Sequence, residues 1–135
     1  MRGLIGILLL LSASLAQAGD YVVVVSTSTS IENLSSGKLR DIFLKKRSFD
    51  GSVRVIPVNL LGNDPARREF EERVLNMERE ELKRYWVTSH FQGIAPPATQ
   101  ASLQSVKSFV SSVAGAIGYL PRDMVDGSVR VVYEF

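Results

Sequence analysis

Five consecutive residues, Tyr21-Val-Val-Val-Val25, constrain the fold of this chain more than any other stretch. β-Branched side chains favour extended backbone, and a strand without polar alternation has no face to offer to water. Such a run suits a strand covered on both sides, as in a parallel sheet packed by helices, and so a small α/β domain. The 135 residues amount to one domain, and with 45% of them apolar and 22% charged the core is sizeable and the chain is not disordered. There is no cysteine, so the core must hold the fold unaided, and thiolate metal sites and cysteine nucleophiles are excluded.

Ahead of the strand, Met1-Arg2 is followed by an apolar run from Gly3 to Leu15 and then by Ala16-Gln17-Ala18, the pattern of a signal peptide cleaved after Ala18. The run is shorter than the roughly 20 residues that a bilayer span needs. Residues 1–18 are therefore expected to be removed on export to the periplasm, leaving 19–135 as one domain that does not span the membrane. Losing Arg2 from 16 basic residues leaves 15 against 14 acidic ones, a net charge of +1. The sequence pI of 9.1 thus marks no nucleic-acid surface.

Along the mature chain, Ser26-Thr-Ser-Thr-Ser30 ends the first strand, and a helix follows in which Ser35 caps, Leu34 and Leu39 form a staple, and Leu39, Ile42 and Phe43 share a face. Asp50-Gly51 marks a turn before a second strand at Val53–Val58, where Pro57 points to an edge position or a strand end. Asp64-Pro65 opens a helix to about Leu75 with Ala66, Phe70 and Val74 buried and Glu69 paired to Arg73. Leu82, Tyr85 and Trp86 make the stripe of another helix over Arg79–Thr88, and Phe91 to Thr99 reads as a loop. Leu103, Val106, Phe109, Val110 and Val113 give a further helix closed by Gly115, with strands at Ile117–Leu120 and Val129–Tyr133. Asp50-Gly-Ser-Val-Arg-Val55 recurs as Asp126-Gly-Ser-Val-Arg-Val131, but the flanks differ, and a turn entering a strand is an easily repeated pattern rather than a structural repeat.

Three stretches carry a resemblance. They are Val22-Val-Val-Val-Ser-Thr-Ser-Thr-Ser30 leading into Leu34-Ser-Ser-Gly-Lys-Leu-Arg-Asp-Ile-Phe-Leu-Lys-Lys46, the strand Val55-Ile-Pro-Val58 running into a helix, and Gly115-Ala-Ile-Gly-Tyr-Leu120. In this order the chain resembles one lobe of the type II periplasmic solute-binding proteins, in particular the phosphate-binding proteins of ABC transporters. The resemblance implies a mixed, mostly parallel sheet flanked by helices, and a small anion such as phosphate bound for uptake or sensing. An ABC permease or an envelope sensor protein would be the partner.

In that family a polar loop opens a helix whose free N–H groups face the anion. The matching stretch here is Asn59-Leu-Leu-Gly-Asn-Asp-Pro-Ala-Arg-Arg68, which departs from the pattern. Pro65 lacks a backbone donor, and the Asp64 carboxylate takes the helix N-terminus itself, so an ordinary capped helix stands ahead of an anion site. Gly62, Asn63 and Arg67 remain the candidate anion ligands on this loop. The hydroxyl loop of Ser26, Thr27, Ser28 and Thr29 is the second candidate, expected beside the first if both lie at one sheet edge. The alternative is an envelope interaction or sensing module that has kept the fold and lost the ligand.

Other chemistry is sparse. His90 is the single histidine and has no partners at metal-ligand spacing, so no metal site is expected, and no cofactor-binding motif is present. No G-x-S-x-G elbow sets a serine on a strained turn, which leaves no catalytic residue to name and no enzyme. Lys45-Lys46-Arg47 and Arg67-Arg68 are small basic patches offset by Glu71-Glu72 and Glu78 to Glu81. Tyr85 and Trp86 share helical spacing with Leu82, as core residues do.

Overall fold

The structure, a computed structural model, describes residues 20–135; the proposed signal peptide lies outside the described residues. Its elements run β1 (Tyr21–Ser26), α1 (Ser36–Phe43), β2 (Phe49–Asp50), β3 (Val53–Arg54), β4 (Ile56–Leu60), α2 (Pro65–Phe70), α3 (Arg79–Phe91), β5 (Ala98–Gln100), α4 (Leu103–Ser112), β6 (Ala116–Pro121) and β7 (Val129–Glu134). The main sheet has the strand order β5-β4-β6-β1-β7, and β2 and β3 form a separate two-stranded hairpin. β4 is parallel to β5 and β6, whereas β1 is antiparallel to both of its neighbours, β6 and β7. Four strands therefore point one way and β1 alone points the other.

The valine run is buried on both faces as its composition requires, with Val22 to Val25 fully covered. Its direction is the correction. A run of valines specifies burial, and the choice between parallel and antiparallel pairing is made by the connections, which the run does not encode. The two faces can be told apart from adjacent residues of β6. A Cβ on Gly118 would meet Val106 and Val110 of α4 at 2.7 and 3.1 Å, so α4 packs closely on that face. Tyr119 points the other way, into rings from α1 and α2: Phe70 stacks on it at 4.4 Å and 8°, and Phe43 lies at 6.1 Å. Each such buried aromatic or aliphatic side chain contributes about 1.5–3 kcal/mol.

Several expected elements shift for physical reasons. Ser35 caps α1 by accepting from Lys38 N–H at 3.2 Å, and Leu34 and Leu39 are both buried, as the staple requires. The second strand divides into β3 in the hairpin and β4 in the main sheet. Pro57 is accommodated inside β4 because the N–H of Ile56 bonds across to Gly115 on the β6 side, so position 57 faces β5, which begins only opposite Val58. The helix from Pro65 keeps its buried stripe of Ala66, Phe70 and Val74, but from Glu71 to Leu75 it widens into a π-helical turn. β5 takes up the last two residues of the expected Phe91–Thr99 loop and runs on to Gln100, and α3 reaches Phe91. Gly115 does not cap α4, which ends at Ser112. It is required because its φ is +94° and a Cβ there would lie 2.2 Å from the Arg54 carbonyl oxygen.

Candidate functional site

The carboxyl ends of β4, β5, β6 and β7 share one edge of the sheet, the place where open α/β folds receive ligands. The Leu61–Asp64 loop lies there, directly after β4. The Ser26–Thr29 loop does not. Val25 pairs with Ile117 at the start of β6, level with Pro57 near the start of β4, whereas Gly62 follows Leu60 at the far end. The length of β4, five residues, puts the two loops roughly 16 Å apart. The two sets of candidate ligands therefore do not form one site, because β1 runs against its neighbours.

At the opposite edge of the sheet from Gly62, the hydroxyl loop is a turn bonded within itself and to α4, where Ser26 Oγ donates to the Ser111 carbonyl at 3.4 Å. Ser26 Oγ lies 2.8 Å from Ser28 Oγ and accepts from Ser28 N–H at 3.2 Å, while Thr29 Oγ1 accepts from Ile31 N–H at 3.4 Å. The Arg130 guanidinium donates to the carbonyls of Thr29 and Ile31. Thr27 is exposed at the tip.

At the ligand edge, Tyr119 and three charged side chains fix the end of β4. The buried Tyr119 hydroxyl donates to Asn59 Oδ1 at 2.9 Å and accepts from Leu60 N–H at 3.3 Å. Burial holds this phenol well above its ordinary pKa. Arg67 Nη1 donates to the Leu60 carbonyl at 2.8 Å, so both backbone groups of Leu60 are held by side chains. Arg79 Nη2 donates to the Gly62 carbonyl. Both arginines also meet Glu71 Oε1, Arg67 Nε at 3.1 Å and Arg79 Nη2 at 3.3 Å. Asp64 then caps α2, accepting from Ala66 N–H at 2.9 Å with Pro65 at the first helical position. Asn63 is exposed beside it.

Gly62, Asn63 and Arg67 are thus brought together, but the Arg67 side chain is engaged within the protein and the helix N-terminus holds a carboxylate. A groove of about 620 Å³ opens between the Glu71–Leu75 turn and the start of α3. Glu71, Glu72, Glu78 and Glu81 outnumber Arg68 and Arg79 on its walls, a charge balance that disfavours an anion. Among the described residues, no group of three or more His, Cys, Asp or Glu could hold a metal ion. Sequence reasoning missed Glu71 and Arg79. The i,i+4 spacing of Arg67 and Glu71 was a usable signal, whereas Arg79 reaches the loop only through the turn at Asn76, which no local pattern reveals.

No family model matches the chain, and no curated protein matches it in sequence. Solved structures do match it in fold. An ABC-type phosphate transport receptor from Vibrio cholerae is 18% identical with a TM-score of 0.66, the match covering 85% of this chain and 45% of the receptor. A putative phosphate ABC transporter substrate-binding protein with bound phosphate from Clostridium perfringens is 20% identical with a TM-score of 0.69, covering 85% and 44%. PstS from Borrelia burgdorferi is 12% identical with a TM-score of 0.63, covering 84% and 46%. The chain spans less than half the length of these proteins, and over that span its fold is that of a single lobe of a phosphate ABC transporter substrate-binding protein.

Proposed function

We propose that the chain is a periplasmic solute-binding-protein-like domain that acts as an interaction or sensing module of the envelope and holds no small anion of its own. The observation that carries this reading is the Asp64 carboxylate on Ala66 N–H, which fills the helix N-terminus that an anion would need. Like charge at that point opposes an incoming phosphate. Supporting it, Arg67 donates inward to Leu60 and Glu71 rather than outward. The fold shared with substrate-binding receptors supports a role in binding. The Ala16-Gln17-Ala18 segment supports export across the cytoplasmic membrane, where an ABC permease or a sensor protein would be within reach.

A thermal-shift titration of residues 19–135 with phosphate and sulfate tests this directly. Ligand at 100 times its dissociation constant would add about 2.7 kcal/mol of stability. No anion-selective rise at millimolar concentration is expected, and a saturable rise with one anion would overturn the reading. A second reading, anion binding for ABC-type uptake, is favoured by the phosphate bound in the Clostridium perfringens protein. It would use Gly62, Asn63 and Arg67, and Ser28→Ala would leave affinity unchanged because that loop is at the opposite end of the sheet.

A further inference from the structure

Among the described residues Glu71 is the one buried ionisable side chain with a formal charge, 5% exposed. A carboxylate is held out of water only where cations and donors compensate it. Here two guanidiniums from different elements, Arg67 of α2 and Arg79 of α3, converge on the same oxygen, Oε1. They do so at the carboxyl end of β4, where ligands sit in open α/β sheets.

We propose that Glu71 is a tethered anion: its carboxylate stands where a free oxyanion would sit between Arg67 and Arg79, and it keeps a latent anion site closed. The inference rests on the reading that the natural chain holds no anion. Both guanidiniums have anchors independent of Glu71, since Arg67 also donates to the Leu60 carbonyl at 2.8 Å and Arg79 to that of Gly62. Neutralising Glu71 therefore leaves them in place with an unmatched charge. The adjoining groove of about 620 Å³, on whose wall both Glu71 and Arg79 lie, gives an oxyanion room and a way in. Its remaining carboxylates, on Glu72, Glu78 and Glu81, are exposed and screened by salt, while Glu71 is not. The ligand class is a small tetrahedral oxyanion, whose oxygens match the planar guanidinium donors.

The test is Glu71→Ala, which removes the carboxylate and empties the position between the guanidiniums, followed by thermal unfolding in inorganic phosphate against chloride at matched ionic strength. E71A is expected to show a saturable, phosphate-selective rise with an apparent affinity at least about tenfold tighter than that of the natural chain, or ~1.4 kcal/mol. Adding Arg79→Ala should abolish the gain. A folded E71A that responds to phosphate no more than to chloride overturns the proposal. Should E71A be unfolded in low salt, phosphate must restore its native circular dichroism where matched chloride does not, and failure to do so overturns the proposal equally. If the natural chain binds phosphate and E71A binds it tenfold tighter, only the interaction-module reading falls. Equal binding by both overturns the two together.

Discussion

Asp64 starts α2 through its bond from Ala66 N–H, and the proposed closing of that N-terminus to anions depends on the same carboxylate. Asp64→Ala removes the acceptor of Ala66 N–H and is expected to cost about 1 kcal/mol of stability, measured by urea denaturation. An unchanged stability would show that the carboxylate is not a cap. Tyr119 is the second residue on which the site depends. Tyr119→Phe leaves Asn59 Oδ1 and Leu60 N–H without their partner and should cost about 1–3 kcal/mol. The same phenol makes stability depend on alkaline pH. Its folded pKa is raised by burial, so its contribution is complete below the ordinary phenol value of about 10 and is lost as pH rises beyond it, because the unfolded chain ionises first. Denaturation at pH 9 and pH 11 should show a steeper loss in the natural chain than in Tyr119→Phe; equal losses would place the phenol in water. Gly115→Ala should be far more damaging than an exposed glycine change such as Gly127→Ala, because a methyl group there would meet the Arg54 carbonyl oxygen.

Among the elements, features encoded by a few neighbouring residues are legible in the sequence, and those that depend on distant pairing are not. The β1 valines, the Ser35 and Asp64 caps and the stripes of α1, α2 and α4 are each written in a few neighbouring residues, and each is present. The reversed direction of β1 is a property of its pairing with β6 and β7, both distant in the chain, and it is what separates the two expected ligand loops. β5 was hidden because Ala98-Thr-Gln100 has too few β-branched residues to signal a strand, and it exists through its pairing with β4. The widened turn at Glu71–Leu75 continues the apolar spacing of an ordinary helix, so its place beside a buried carboxylate had no sequence signal. α3 is the longest of the described helices, 13 residues, yet buries only Leu82 and Ser89, as many residues as the shorter α2 and α4 bury, and it carries the exposed Val87 and Phe91. It is tied down by few bonds, among them Tyr85 Oη to the Leu44 carbonyl at 2.6 Å. Its amides should exchange with deuterium well before those of β1 and β6. Protection equal to that of the central strands would mean that α3 belongs to the global unfolding unit.

For the whole molecule, the carboxyl edge of the sheet is occupied by the chain's own side chains: Tyr119 and Arg67 on Leu60, Arg79 on Gly62, Glu71 between the arginines and Asp64 on the helix. A fold shared with phosphate receptors over less than half of their length does not by itself supply their cleft. Export can be checked separately, since the intact mass of the protein recovered from the periplasm should correspond to a chain beginning at Gly19, and retention of residues 1–18 would contradict cleavage. The most direct measurement is an amide chemical-shift titration of residues 19–135 with phosphate and sulfate, following Gly62, Asn63, Ala66 and Arg67. A closed edge requires that these amides show no saturable, anion-selective shift. A saturable shift confined to them would mean that the loop holds an anion in spite of Asp64 and Glu71, and would contradict the assignment of this lobe as a module without its own ligand.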